Sequence, residues 1–455
     1  MTDIIELERD LIGDIWTSSS LEESLRYLCD TCGGRFAGTE DERRAGDYML
    51  ARFESWGLDA EGQRVRAEPF EMVGWRREGA RLTLLHQGEA RELPCLALAG
   101  SGAGQVEAEV IDVGPGTPAD FERLGEAVAG KAVLASAQGP HRLEKYAHAL
   151  AAGAAAFLFA NGRPGMLLPA GSVGLPGAPR LLSIGLSLET AALLRRLLEG
   201  ASPDEPISVR IDVSGGPETV TARNIVAELP GSDPDAGWIV ACGHYDGHDI
   251  AQGAQDNATG TAVVLEAARV LSARGVRLGA GLRFVLFSGE EMGMYGSEAY
   301  VRDHPDHLDH IRAVFNADIV GMAAPLVLMT QNSPELAAYL RRLPLEELGA
   351  QVNDTRLVPY SDHFSFTLAG VASLMAVTSS SGTGRGWGHT AADTLDKLDI
   401  RAVREAAATT ARILLRMAMA PDALPDERQS PDDVKRALIE AGLEGPMRIR
   451  RAWPF

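Results

Sequence analysis

Apolar residues near the start of the chain recur at helical spacing. Both "LEESLRYL" (21–28) and "DERRAGDYMLARFESWG" (41–57) follow this period, and the glycine-containing stretch "GGRFAGT" (33–39) separates them as a turn. Strand-like alternation follows in "RVRAEPF" (64–70) and "ARLTLL" (80–85). From about 90 to 213 the texture changes to alanine, glycine and proline, with short apolar runs such as "VEAEVIDV", "KAVLA", "AAAFLF" and "ISVRIDV". This segment carries its own core pattern and reads as a separate domain.

From about 218 the rhythm becomes regular. "NIVAELP", "GWIVACG", "LRFVLFS", "AVFNAD", "LVLMT" and "SLMAV" are apolar runs of strand length, with helical stretches such as 258–273 between several of them. Runs apolar on both faces, alternating with helices, predict an α/β architecture: a mostly parallel central sheet with helices on both faces. The expected division is a discontinuous domain over 1–89 and 214–420, an insert over 90–213, and a tail over 421–455. In that tail Ser430 can cap a short helix with Pro431 at its first position.

In open α/β sheets ligands gather outside the carboxyl ends of the strands. Four of the apolar runs end in residues that can bind a metal: His244 after "IVACG", Glu290 and Glu291 after "LRFVLFSG", Asp318 after "AVFNA", and His389 after "SLMAV" and its glycine-rich loop. Imidazoles and carboxylates without thiolates suit zinc, manganese or cobalt in a hydrolytic site. With Asp256 added there are three ligand carboxylates, whose charge two divalent cations and one hydroxide would balance, so such a cluster can be buried. Adjacent residues of an extended segment point to opposite sides, so one of Glu290 and Glu291 is expected to ligate. The other stays free beside the metal, where it can act as a general base.

Composition narrows the alternatives. The net charge of -20 argues against nucleic acid. Acids in the first twenty residues and the lack of a long apolar run argue against export and membrane spanning, which leaves a cytoplasmic location as the expectation. Four cysteines are too few for a disulfide framework, and Cys29 and Cys32 read as ordinary thiols. His141 and His148 have no carboxylates at ligand spacing, and His304, His307 and His310 read as an exposed helical turn.

The motifs "GHYD" (243–246), "GAQDNATG" (253–260), "GEEMGMYGS" (289–297), "NAD" (316–318), "SDH" (361–363) and "GHTAADT" (388–394) occur in that order. Together they resemble the di-zinc metallopeptidases that include bacterial leucyl aminopeptidases, glutamate carboxypeptidases and carboxypeptidase Q, and "DIAQGAQD" looks most like the carboxypeptidase Q branch. The insert is similar to the protease-associated domain that several members carry ahead of the catalytic sheet. The resemblance implies a two-metal exopeptidase acting on short peptides as an aminopeptidase, dipeptidase or carboxypeptidase, with two divalent ions, most simply zinc. It assigns His244 and Asp318 to one ion, Asp256 as the bridge, Glu291 and His389 to the other, and Glu290 as the base. Asp246 would orient His244, and the peptide bond from Asp256 to Asn257 would be cis. His248 and Asp249 are left without a metal. Gln255 departs from relatives that carry an acid there, and an effect on the loop is expected.

Tyr360, His363 and Arg385 are candidates for contact with substrate: Tyr360 as a donor to the carbonyl oxygen or a residue bonded to the backbone, His363 as near-site structure or a contact, and Arg385 as a partner for a free carboxylate. Partners are therefore short peptides, with no nucleic acid and no membrane, and a homodimer is compatible with the chain. Two other readings stand beside this one, a receptor that kept the fold without the chemistry and a single-zinc relative of the glutaminyl cyclases.

Overall fold

The computed structural model describes residues 4–58, 64–202, 204–273, 276–331, 333–354, 357–378, 386–426 and 428–455. The chain forms two compact units. The first comprises 1–72, 220–388 and 393–441, and the second 73–219, 389–392 and 442–455. The second unit thus holds the expected insert, 90–213, together with the flanking segments 73–89 and 214–219.

In the first unit the strands are β1 (Ser208–Leu229, through its last residues), β2 (Trp238–His244), β3 (Gly281–Phe287), β4 (Ile311–Ala317), β5 (Leu326–Met329), β6 (Ala350–Asn353) and β7 (Ser373–Val377). Their order across the sheet is β6-β5-β7-β4-β2-β3-β1. The centre is parallel: His244 lies opposite Phe287 on β3, and Cys242 opposite Asn316 on β4. β4 with β7 and β5 with β6 are also parallel, while β3 with β1 and β5 with β7 are antiparallel. The sheet is mixed, with its parallel strands concentrated where the candidate ligands leave it.

Alternation explains why helices cover both faces. On β2, Ile239 and Ala241 enter one apolar cluster, and Val240 and Cys242 enter another. On β3, Leu282, Phe284 and Leu286 enter the first and Val285 and Phe287 the second. The first cluster is closed by helices α1 (Ile4–Thr17), α2 (Thr259–Ser272) and α3 (Ile400–Met419), which pack on one another. The second is closed by Tyr300 and Phe366 from helices Tyr295–Asp303 and His363–Leu368. Phe284 and Phe287 are fully buried, and burying such a ring stabilises by roughly 1.5–3 kcal/mol. That fixes the sheet from which the strand-end loops project.

In the second unit, Gly104–Gly114, Ala132–Ala135, Ala156–Ala160 and Leu182–Leu186 form consecutive parallel pairs over a core that includes Val133, Tyr146 and Phe157. The tail divides between the units. Helix Pro431–Glu440 belongs to the first, with Ser430 as its cap and Pro431 in its first turn. Helix Glu444–Ile449 packs on helix Arg142–Ala151 in the second, with Met447 buried. No helix among the described residues is long and apolar enough to cross a membrane.

Candidate metal centre

β2 delivers His244 at its last position, and Thr261 of α2 donates to its carbonyl at 2.8 Å. The imidazole is 1 % exposed, with Nδ1 3.2 Å from the carbonyl of Asp246. A proton on Nδ1 satisfies that carbonyl and leaves the Nε2 lone pair for a cation. Nε2 faces three carboxylates: Asp256 Oδ1 at 3.3 Å, Asp318 Oδ1 at 3.7 Å and Glu290 Oε2 at 4.0 Å. His244, Asp256 and Asp318 all offer ligand atoms within 4.8 Å of one another.

Glu290 and Glu291 follow β3 and diverge. Glu290 Oε2 turns toward His244, while Glu291 Oε2 lies 3.0 Å from Nε2 of His248. Both are held through the backbone, since the two carboxylate oxygens of Asp246 accept their main-chain amides at 3.3 and 3.2 Å. Asp246 is fully buried. The resemblance leaves His248 without a metal, but the fold sets it against Glu291 and makes it a candidate donor.

The loop that carries Asp256 is held from several sides. The Asp256–Asn257 peptide bond is cis, as the resemblance implies. Asn257 accepts from the amides of Gly260 and Ile319 and donates to the carbonyl of Ala317, which ties the loop to the residues flanking Asp318. Asp393 accepts the amides of Gln255 and Asp256. Arg35 is wholly buried and spends its guanidinium on carbonyls alone: Leu28, Gly33, Tyr245, Gln252 and Gly253, at 2.5 to 3.0 Å. Gln255 is wholly buried beside Asp256, and its side-chain amide meets no hydrogen-bond partner among the described residues.

The electrostatics identify what this pocket needs. Burial works to lower the pKa of His244, but Glu290, Asp246, Asp256 and Asp318 outweigh it and hold the pKa well above the ordinary value. Burial pushes Glu290 well above the usual carboxylate range; His244 opposes the shift, and Glu291, Asp318 and Asp362 add to it. Asp318 Oδ1 is buried with no hydrogen-bond donor among the described residues. An imidazole ringed by buried carboxylates is short of positive charge, and a divalent cation fits the donor set.

The remaining sequence candidates separate. His389 belongs to the stretch 389–392 of the second unit, but its neighbours on both sides belong to the first. A Cβ on Gly388 would stand 3.6 Å from Asp256 Oδ2, and Asp393 holds the Asp256 amide. His363 is fully buried, 3.1 Å from the carbonyl of Val358, and burial pushes its pKa down to about 3. That corrects the expected substrate contact, since a wholly enclosed ring cannot meet a peptide, and leaves near-site structure. Tyr360 is half-buried, and Arg385 lies outside the described residues.

Cys29 and Cys32 are buried free thiols, pushed up by burial to about 12 and about 11. His141 caps its helix by accepting from Leu143, and His148 stacks on Phe121. His304 pairs with Glu68 and stacks on His307.

The chain is similar to known proteins along most of its length. Residues 224–414 match the model of peptidase family M28, and residues 98–194 match that of the PA domain. Carboxypeptidase Q of Xenopus laevis is 28% identical over 355 residues, covering 75% of this chain and 73% of its own. Aminopeptidase YwaD of Bacillus subtilis (strain 168) is 26% identical over 398 residues, covering 84% and 81%. The solved structure of BSAP, a zinc aminopeptidase from Bacillus subtilis, is 24% identical with a TM-score of 0.68, covering 91% of this chain and 97% of that one. The chain is thus a metallopeptidase whose residues 224–414 match family M28 and whose insert matches the PA domain.

Proposed function

We propose that the protein is a two-metal exopeptidase that hydrolyses short peptides, with His244, Asp256 and Asp318 at one ion and Glu291, His389 and the shared Asp256 at the other. The observation that carries this is the convergence of three carboxylates from separate strand-end loops on Nε2 of one buried imidazole. The resemblance supplies His389 as the third donor of the second set. Its support is the bracket formed by Gly388 and Asp393 around the Asp256 loop. Zinc suits the nitrogen and oxygen donors, and BSAP is a zinc aminopeptidase.

When bound, the two ions polarise the peptide carbonyl and lower the pKa of water. The protein's own part is positional. Asp246 orients His244 and fixes the amides of both glutamates. Glu290, with 14 % of its side chain exposed, takes the proton of the attacking water at Oε2 and delivers it to the leaving nitrogen. The relatives include both an aminopeptidase and carboxypeptidases, so the choice of end is the first thing to measure. Free and acetylated dipeptides, assayed with and without chelator, decide it. Hydrolysis that survives complete metal removal would refute the reading, and cleavage of the acetylated peptide would assign a carboxypeptidase.

A further inference from the structure

We infer that His248 binds the second divalent cation directly, adding an imidazole to Glu291, His389 and the shared Asp256. This rests on the two-ion reading above. Two donors of one tetrahedral zinc, each at its ordinary bond length, stand about 3.3 Å apart. His248 Nε2 and Glu291 Oε2 are 3.0 Å apart, close to the 3.3 Å between His244 Nε2 and Asp256 Oδ1 at the first site. The imidazole is 3 % exposed, so nitrogen and carboxylate meet in a place where a cation would be shielded from bulk water.

The ring is also held in position by its surroundings. Phe36 stacks on it at 5.9 Å with an interplanar angle of 26°. Gly34 packs so tightly beneath the loop that a Cβ there would stand 2.9 Å from Asp249 Cα and 3.0 Å from the His248 carbonyl. Arg35 anchors the same loop through the carbonyls of Gln252 and Gly253. A fixed, buried nitrogen beside the carboxylate of a metal site needs no rearrangement to become a ligand. A neutral imidazole adds no charge to the cluster, and it shifts the second site toward zinc and away from manganese.

The test uses the full-length chain, stripped of metal and titrated with zinc against a competing chelator, followed by X-ray absorption of the zinc-loaded protein. Wild type is compared with His248→Ala, His248→Gln and, as the reference for loss of the second ion, Glu291→Ala. The expected result is two ions in wild type. Both His248 variants should keep the first ion at wild-type affinity, bind the second at least about tenfold more weakly, and lose one imidazole from the absorption signal. Thermal melting of the metal-free proteins checks that the variants fold, and the glutamine variant keeps a polar side chain of similar reach. Unchanged affinity for the second ion overturns the inference. So does weakened affinity with an unchanged imidazole count, because His248 would then act only through Glu291. A wild-type chain that takes up fewer than two ions instead overturns the two-ion reading itself, which separates the two failures.

Discussion

The carboxylate of Asp393 accepts the main-chain amide of Asp256 at 3.1 Å, and its other oxygen accepts the neighbouring amide of Gln255 at 2.8 Å. Asp393 is 1% exposed, and burial pushes its pKa up to about 6. Asp393→Ala leaves two buried amides without acceptors, and a lost partner of this kind costs about 2 kcal/mol. Asp393→Asn keeps one acceptor and should lose less. Urea denaturation of the metal-free proteins measures both, and an unchanged midpoint for the alanine variant would show that the contact carries no stability.

Glu290→Gln keeps the shape of the side chain and removes its ability to take a proton. The expected outcome is a fall in kcat of about 10²- to 10⁴-fold, with metal content and KM close to wild type. Chelation should abolish activity in wild type, and zinc should restore it. A glutamine variant with wild-type kcat would remove Glu290 from the chemistry.

Arg35 donates to five main-chain carbonyls. Arg35→Met strips all five at once and is expected to destabilise the protein by about 3 kcal/mol or more. Arg35→Lys should recover part of the loss, since an ammonium has three donors on a shorter reach. Equal stability of the methionine and wild-type chains in denaturant would contradict this account of the loop.

His363 yields a pH prediction with a definite sign. Its pKa is depressed to about 3 in the fold, against about 6.5 in an unfolded chain. Between those values the unfolded chain binds the extra proton, so stability from the neutral buried ring is complete above pH 6.5 and is lost as pH falls toward 3. The difference in unfolding free energy between wild type and His363→Asn should therefore grow from pH 3 to 6.5 and level off above. Taking the difference cancels the opposing contribution of buried Asp362, whose pKa is raised to about 7 by burial. A difference that does not vary across this range would refute the burial argument.

The strand-end residues were legible because an apolar run followed within a few residues by an acid or a histidine is a local signal. His244, Glu291 and Asp318 share that form. The direction of each strand is not written in its apolar run, which is why the antiparallel pairs at β1 and β7 went unseen. His248 was missed for a different reason. It sits in an irregular loop, where spacing from His244 says nothing about orientation, and its partner Glu291 follows another strand. Arg35, Asn257 and Asp393 were missed because they bind main-chain groups, which every residue offers and no pattern records.

The grip of Asp246 on two amides separates the placement of the chain at 290 and 291 from the choice of side chain there. Each position is a fixed mount, and the carboxylate it presents is set by side-chain length alone. Shortening either glutamate to aspartate would draw the acid back by one methylene without moving its anchor. The pair therefore works as a ruler: the position that tolerates the shorter arm has room to adjust, and the one that does not defines the distance on which the reaction depends.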